Sequence, residues 1–112
     1  FDEPHSIAID DNGRLYVGDR RNKRVQVFDQ SGTFLTQWTH LGTPWGVFVQ
    51  GNRLYVVDGT ENNRLLIVDI TDGTVLERVD GLSNPTAVTV DSDGAIYIAE
   101  VRGANVRKLV KK

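Results

Sequence analysis

Hydrophobic positions fall in short runs of strand length, with no 3.6-residue period. Over the first forty residues the runs centre on Ser6-Ile7-Ala8-Ile9, Leu15-Tyr16-Val17, Val25-Gln26-Val27-Phe28 and Phe34-Leu35, each rich in β-branched or aromatic residues. The gaps hold Asn12-Gly13, Arg21-Asn22-Lys23 and Ser31-Gly32, turn chemistry that lets the chain reverse. The pattern predicts a four-stranded antiparallel meander from Pro4 to His40.

The same pattern returns from Pro44 and again from Pro85. Anchors recur in register: Pro4, Pro44 and Pro85; Tyr16, Tyr55 and Tyr97; Asp19, Asp58 and Glu100. The period is about 40 residues, a length typical of propeller blades. The second run of each unit (Leu15-Tyr16-Val17, Leu54-Tyr55-Val56-Val57, Ile96-Tyr97-Ile98) is apolar on successive positions, so it predicts strands covered on both faces. The expected fold is therefore all-β, a partial β-propeller domain over 1–112. Its three blades span about 1–42, 43–82 and 83–112, the last without its outer strand. Tyr16, Tyr55 and Tyr97 are expected at equivalent sites, each packed between sheets. Lys108, Lys111 and Lys112 are expected to guard the open edge of the third blade.

Three blades do not close a ring, because propellers use roughly four to eight. An open stack leaves apolar faces at both ends. The sequence therefore predicts either a homodimer closing a six-bladed ring or further blades in a longer chain. Phe1 is not an initiator and there is no methionine, so either residues were processed away or the chain was cut from something longer.

Composition narrows the chemistry only a little. The chain is 39% hydrophobic and 25% charged with a formal net charge of −2, which reads as a soluble protein and disfavours nucleic acid as a partner. Without cysteine there is no disulfide, thiolate metal site or thiol nucleophile. No run is long enough to span a bilayer and no signal peptide is visible. Asn84-Pro85-Thr86 is not a glycosylation acceptor, since proline stands in its middle. Asp10-Asp11-Asn12-Gly13 and Asp91-Ser92-Asp93-Gly94 read as tight turns rather than calcium loops, because the remaining ligands of an EF-hand are missing.

The stretch Leu15-Tyr16-Val17 followed by Asp19-Arg20-Arg21-Asn22-Lys23-Arg24-Val25-Gln26-Val27-Phe28-Asp29 resembles the signature of NHL repeats, which build six-bladed propellers. The first blade, with Pro4-His5-Ser6-Ile7-Ala8-Ile9 and Val17-Gly18-Asp19-Arg20, is most similar to the peptidyl-hydroxyglycine amidating lyases. That resemblance implies that His5 matches a ligand of a catalytic zinc and Arg20 a catalytic arginine. The later blades depart from it, with Trp45 and Thr86 in the place of His5, and no further zinc histidine is found.

Each candidate has a plainer reading beside the chemical one. His5 is a metal ligand or a turn histidine beside a proline. Arg20 clamps an anionic group or ties neighbouring blades through Asp19 or Asp58. Arg21 belongs to the same basic turn, either a ligand-binding contact or a solvated tip. Trp45 is a stacking surface in the channel or core packing. His40 reads as a solvated loop residue. The function expected first is a scaffold that holds a ligand, peptide or protein. The alternative is a metal-dependent lyase of the amidating type, with zinc as its cofactor. RNA binding is a distant third.

Overall fold

In the computed structural model of this chain, described over residues 4–59, 62–100 and 105–110 with side chains from Ser6 onward, every regular element is a β-strand. The first sheet holds β1 (Pro4–Ile9), β2 (Leu15–Asp19), β3 (Arg24–Phe28) and β4 (Phe34–Trp38), paired in that order. The second holds β5 (Pro44–Gln50), β6 (Arg53–Asp58), β7 (Arg64–Asp69) and β8 (Val75–Val79). The third holds β9 (Pro85–Val90), β10 (Ile96–Glu100) and β11 (Asn105–Leu109). All pairings are antiparallel, and no helix among the described residues is long and apolar enough to cross a membrane.

The turns form for the reasons the sequence suggests. Asp10 Oδ1 accepts from the backbone of Asn12 (2.9 Å) and Arg14 (3.0 Å), and Asp91 Oδ1 accepts from Asp93 (2.9 Å) and Ala95 (2.9 Å). Each carboxylate holds its own turn, and a glycine with positive φ closes it: Gly13 at 84° and Gly94 at 86°.

Two apolar clusters hold the three sheets together. The first joins Tyr16, Val25, Val27 and Trp38 of the first sheet to Leu54, Val56, Leu66 and Val68 of the second. The second joins Tyr55, Val57, Leu65 and Ile67 to Val88, Val90, Ile96 and Ile98 of the third. The middle sheet is thus covered on both faces, which is why β6 and β7 carry continuous apolar runs.

The end sheets depart from the expectation in an instructive way. Tyr16 and Tyr55 are buried between sheets, but Tyr97 is half-buried on a face against which none of the described sheets packs, and β10 alternates buried and half-buried positions. The register is as expected. Lys108 lies against that ring, its Nζ 5.6 Å from the Tyr97 centroid. Lys111 and Lys112 lie outside the described residues. His40 is exposed, yet its Nε2 bonds the Gly73 carbonyl at 2.6 Å, tying the first sheet's exit loop to the β7–β8 turn.

Candidate functional site

The end of the blades where β2 turns to β3 is built on buried charge. Asp19, Asp58 and Glu100 close β2, β6 and β10, at 0%, 0% and 2% exposure. A buried carboxylate is costly unless paired and hydrogen-bonded. Each here receives an arginine Nε: Arg24 to Asp19 (2.9 Å), Arg64 to Asp58 (2.7 Å) and Arg107 to Glu100 (3.0 Å). Each also receives an asparagine amide, from Asn22 (3.1 Å), Asn62 (2.9 Å) and Asn105 (3.1 Å). The connectors complete the shell, with Thr43 N–H on Asp58 (2.8 Å) and Ser83 N–H on Glu100 (2.6 Å).

The separation of acid and arginine grows from five to six to seven residues along the chain, while the Asn-x-Arg unit stays intact. In the third sheet Asn105 stands opposite Glu100, so Arg107 reaches back from two residues further along the strand. Burial opposes ionisation of Glu100, but the Ser83 N–H, Arg107 and Asn105 outweigh it and hold its pKa below the ordinary value. A carboxylate so held is ionised at neutral pH, which suits an anchor rather than a general base.

The innermost strands begin with a shared irregularity. Pro4 pairs Asp19 and Ser6 pairs Gly18; Pro44 pairs Asp58 and Gly46 pairs Val57; Pro85 pairs Glu100 and Ala87 pairs Ala99. The extra residue is His5, Trp45 or Thr86. A bulge re-aims its side chain and is common beside functional sites. The His5 side chain lies outside the described residues.

Trp45 is half-buried against the second cluster, and the Arg20 guanidinium of the preceding blade lies 4.1 Å from its ring centroid. One tie between the blades runs from Arg20 through the indole, and Arg24 and Arg64 pair with Asp19 and Asp58. Gly59 follows Asp58 as Arg20 follows Asp19, and a Cβ there would meet Trp45 Cδ1 at 2.5 Å. Arg21 is exposed on the same loop as Arg20. The structure thus brings Arg20 and Trp45 together, with Arg21 one residue away on the loop tip. Sequence reasoning missed the supporting Asn22, Arg24, Asn62 and Arg64, whose signal was the recurring Asn-x-Arg after each acid.

At the opposite end, a cavity of about 250 Å³ between the first two blades is lined by Asp10, Asn12, Arg14, Asn52, Ile70 and Thr71. Its carboxylate is already engaged, since Tyr16 donates to Asp10 Oδ2 at 2.8 Å. Burial opposes charge on Asp10, yet the Tyr16 hydroxyl and the Arg14 and Asn12 N–H groups keep its pKa below the ordinary value. The same burial and bond push the Tyr16 hydroxyl up.

Among the described residues, which leave out the His5 side chain, no three His, Asp or Glu side chains converge, whereas zinc takes three or four protein ligands.

The NHL repeat pattern matches residues 1–28 and the LVIVD repeat pattern residues 41–92. NHL repeat-containing protein 3 of Homo sapiens is 32% identical over 98% of this chain, which spans 36% of that relative's length. The E3 ubiquitin-protein ligase TRIM32 of Mus musculus is 25% identical over 92% of this chain and 16% of its own length. Peptidyl-glycine alpha-amidating monooxygenase B of Xenopus laevis is 27% identical over 96% of this chain and 14% of its own. Among solved structures, Kuenenia stuttgartiensis hydrazine synthase superposes with a TM-score of 0.77 at 20% identity, covering 87% of this chain and 29% of that one. Three antiparallel sheets stacked in sequence order, a buried acid closing the second strand of each, and these matches agree on one conclusion: the chain is built of propeller-type blades that resemble those of the NHL-repeat proteins.

Proposed function

We propose that this chain is a binding scaffold whose β2–β3-loop end holds a peptide or protein. The carrying observation is the Arg20–Trp45 stack at the bulged start of an innermost strand. An aromatic face beside arginines on a loop, with that loop fixed by a buried carboxylate, is an arrangement suited to recognition. Asp19 supplies the rigidity by taking both Asn22 and Arg24, and Arg21 stands on the exposed tip of the loop it fixes. The likeness to an E3 ubiquitin-protein ligase, an enzyme class that acts on proteins, supports a protein rather than a small molecule as the ligand.

The test is selection from a random peptide display library against the wild-type chain and an Arg21→Ala/Trp45→Ala variant shown to be folded by circular dichroism. Peptides enriched on the wild type and lost on the variant support the reading. Equal enrichment on both makes the stack a purely structural clip.

A second reading, a lyase of the amidating type, is favoured by the 27% identity to the Xenopus amidating monooxygenase. It assigns His5 to zinc and Arg20 to the substrate. Among the described residues no further ligands gather, and no reaction step is assigned to a metal. Zinc analysis of protein purified without a histidine tag, beside His5→Ala, separates the two: the scaffold reading expects equal zinc in both, and the lyase reading expects stoichiometric zinc lost with His5.

A further inference from the structure

The β2–β3 loop holds a backbone strain that the second blade avoids. Among the described residues three besides glycine have positive φ: Lys23 at 54°, Asn63 at 51° and Asn84 at 50°. The left-handed region favours glycine and asparagine, whose short polar side chain bonds locally, and penalises a lysine. Lys23 and Asn63 hold the same place, each one residue before the arginine that pairs with the buried acid of its blade. The turn dictates the conformation. The Lys23 N–H donates to the Arg20 carbonyl at 3.1 Å, and the next residue, Arg24, stands opposite Asp19 in the ladder. The second blade fills this place with the residue the backbone favours, and the first blade does not.

Lys23 also adds charge where charge is already crowded. Residues 20–24 include four cations, Arg20, Arg21, Lys23 and Arg24. Like charges this close repel. An asparagine at position 23 would relieve the strain and the repulsion together. A residue held in an unfavourable conformation on a rigid, exposed loop points to a use for its side chain.

We propose that Lys23, with Arg20 and Arg21, makes the β2–β3-loop end selective for peptides rich in aspartate and glutamate. This rests on the scaffold reading above and names the chemistry of its ligand. Arg24 is committed to Asp19, while Arg21 and Lys23 are exposed and Arg20 stacks over Trp45. A guanidinium carries five N–H donors and an ammonium three, so contacts within the chain leave donors for a ligand carboxylate. Asp19 fixes the loop by taking both Asn22 and Arg24, which lowers the ordering cost of binding. The indole beside the cations offers an apolar surface to the rest of the peptide.

The width of the cluster separates a peptide from a nucleic acid. The residues between β6 and β7 include no cation, those between β10 and β11 include Arg102 alone, and the chain has a formal net charge of −2. One loop of cations suits one or two carboxylates. A nucleic-acid backbone takes a longer basic track, so the pattern favours an acidic peptide over RNA.

The test extends the peptide-display selection to Lys23→Gln, Lys23→Arg and Lys23→Asn, each shown to be folded by circular dichroism. Peptides enriched on the wild type should be richer in aspartate and glutamate than the input library. A peptide resynthesised from that pool should bind Lys23→Gln about three- to tenfold more weakly, and Lys23→Arg should keep the wild-type affinity. Lys23→Asn should lose affinity as Lys23→Gln does, yet melt about 2–5 °C higher than the wild type because the strain is relieved. Enrichment without an acidic bias, or equal affinity of wild type and Lys23→Gln, overturns the selectivity and leaves the scaffold reading standing. No enrichment on any of the proteins overturns both. A Lys23→Asn protein no more stable than the wild type also overturns the proposal. So does a short single-stranded oligouridylate that binds the wild type more tightly than the peptide and is lost with Lys23→Gln, which would make RNA the ligand.

Discussion

The Arg20 guanidinium of the first blade lies 4.1 Å over the Trp45 ring of the second, and Trp45 in turn fills the space that a side chain at position 59 would need. One contact thus links two blades and explains why glycine, not a second arginine, follows Asp58.

Arg20→Ala should cost about 0.5–1 kcal/mol, the worth of an exposed cation–π pair. Gly59→Ala should cost more, about 1–3 kcal/mol, because the indole must move or the backbone must. Urea unfolding followed by tryptophan emission measures both. A larger loss for Arg20→Ala than for Gly59→Ala contradicts the packing order described.

Gly42 tests the buried carboxylate. Its φ is 76°, and a Cβ there would overlap the Asp58 carboxylate. Gly42→Ala should lose about 2–5 kcal/mol, combining left-handed strain with overpacking. Gly81 has a similar φ of 82° with open space around it, so Gly81→Ala should lose only about 1–2 kcal/mol. Equal losses at the two sites would mean that the carboxylate yields easily.

The three tyrosines should separate by burial, not by sequence. Tyr55→Ala, with a sheet on either side, should cost about 3–5 kcal/mol. Tyr97→Ala, on the uncovered face, should cost less than about 2 kcal/mol in the single chain. Tyr16→Phe removes one donor from the buried Asp10 and should cost about 1–3 kcal/mol. Chemical denaturation of the three variants side by side orders them.

Acid should unfold this protein through its anchored carboxylates. The pKa values of Glu100 and Asp10 are lowered in the folded chain. Their stabilisation is complete above the ordinary carboxylate range of about pH 4, and it is lost as pH falls through the lower folded values. Stability should therefore fall steadily below about pH 5. Glu100→Gln should be less stable at pH 7 and show a shallower dependence on acid, measured as melting temperature against pH.

The sequence by itself determined the strands, their order and their pairing. Strand alternation, Asn-Gly and Asp-x-x-Gly turns and the recurring proline, tyrosine and acid are local signals, and antiparallel neighbours joined by short turns need nothing more. It also marked Arg20 and Trp45 as residues to watch. What it did not determine is which charge meets which. Arg24 stands five residues from Asp19 in sequence and pairs with it at 2.9 Å because the antiparallel register sets the two directly opposite. The Arg20–Trp45 stack joins two blades, so it exists only once the sheets are stacked. Burial shows the same limit. Tyr55 and Tyr97 share their strand position, but one is enclosed by a neighbouring sheet and the other is not. A repeat fixes register within each blade through local pairing; exposure is fixed by whatever lies against the blade, and only the tertiary arrangement decides that.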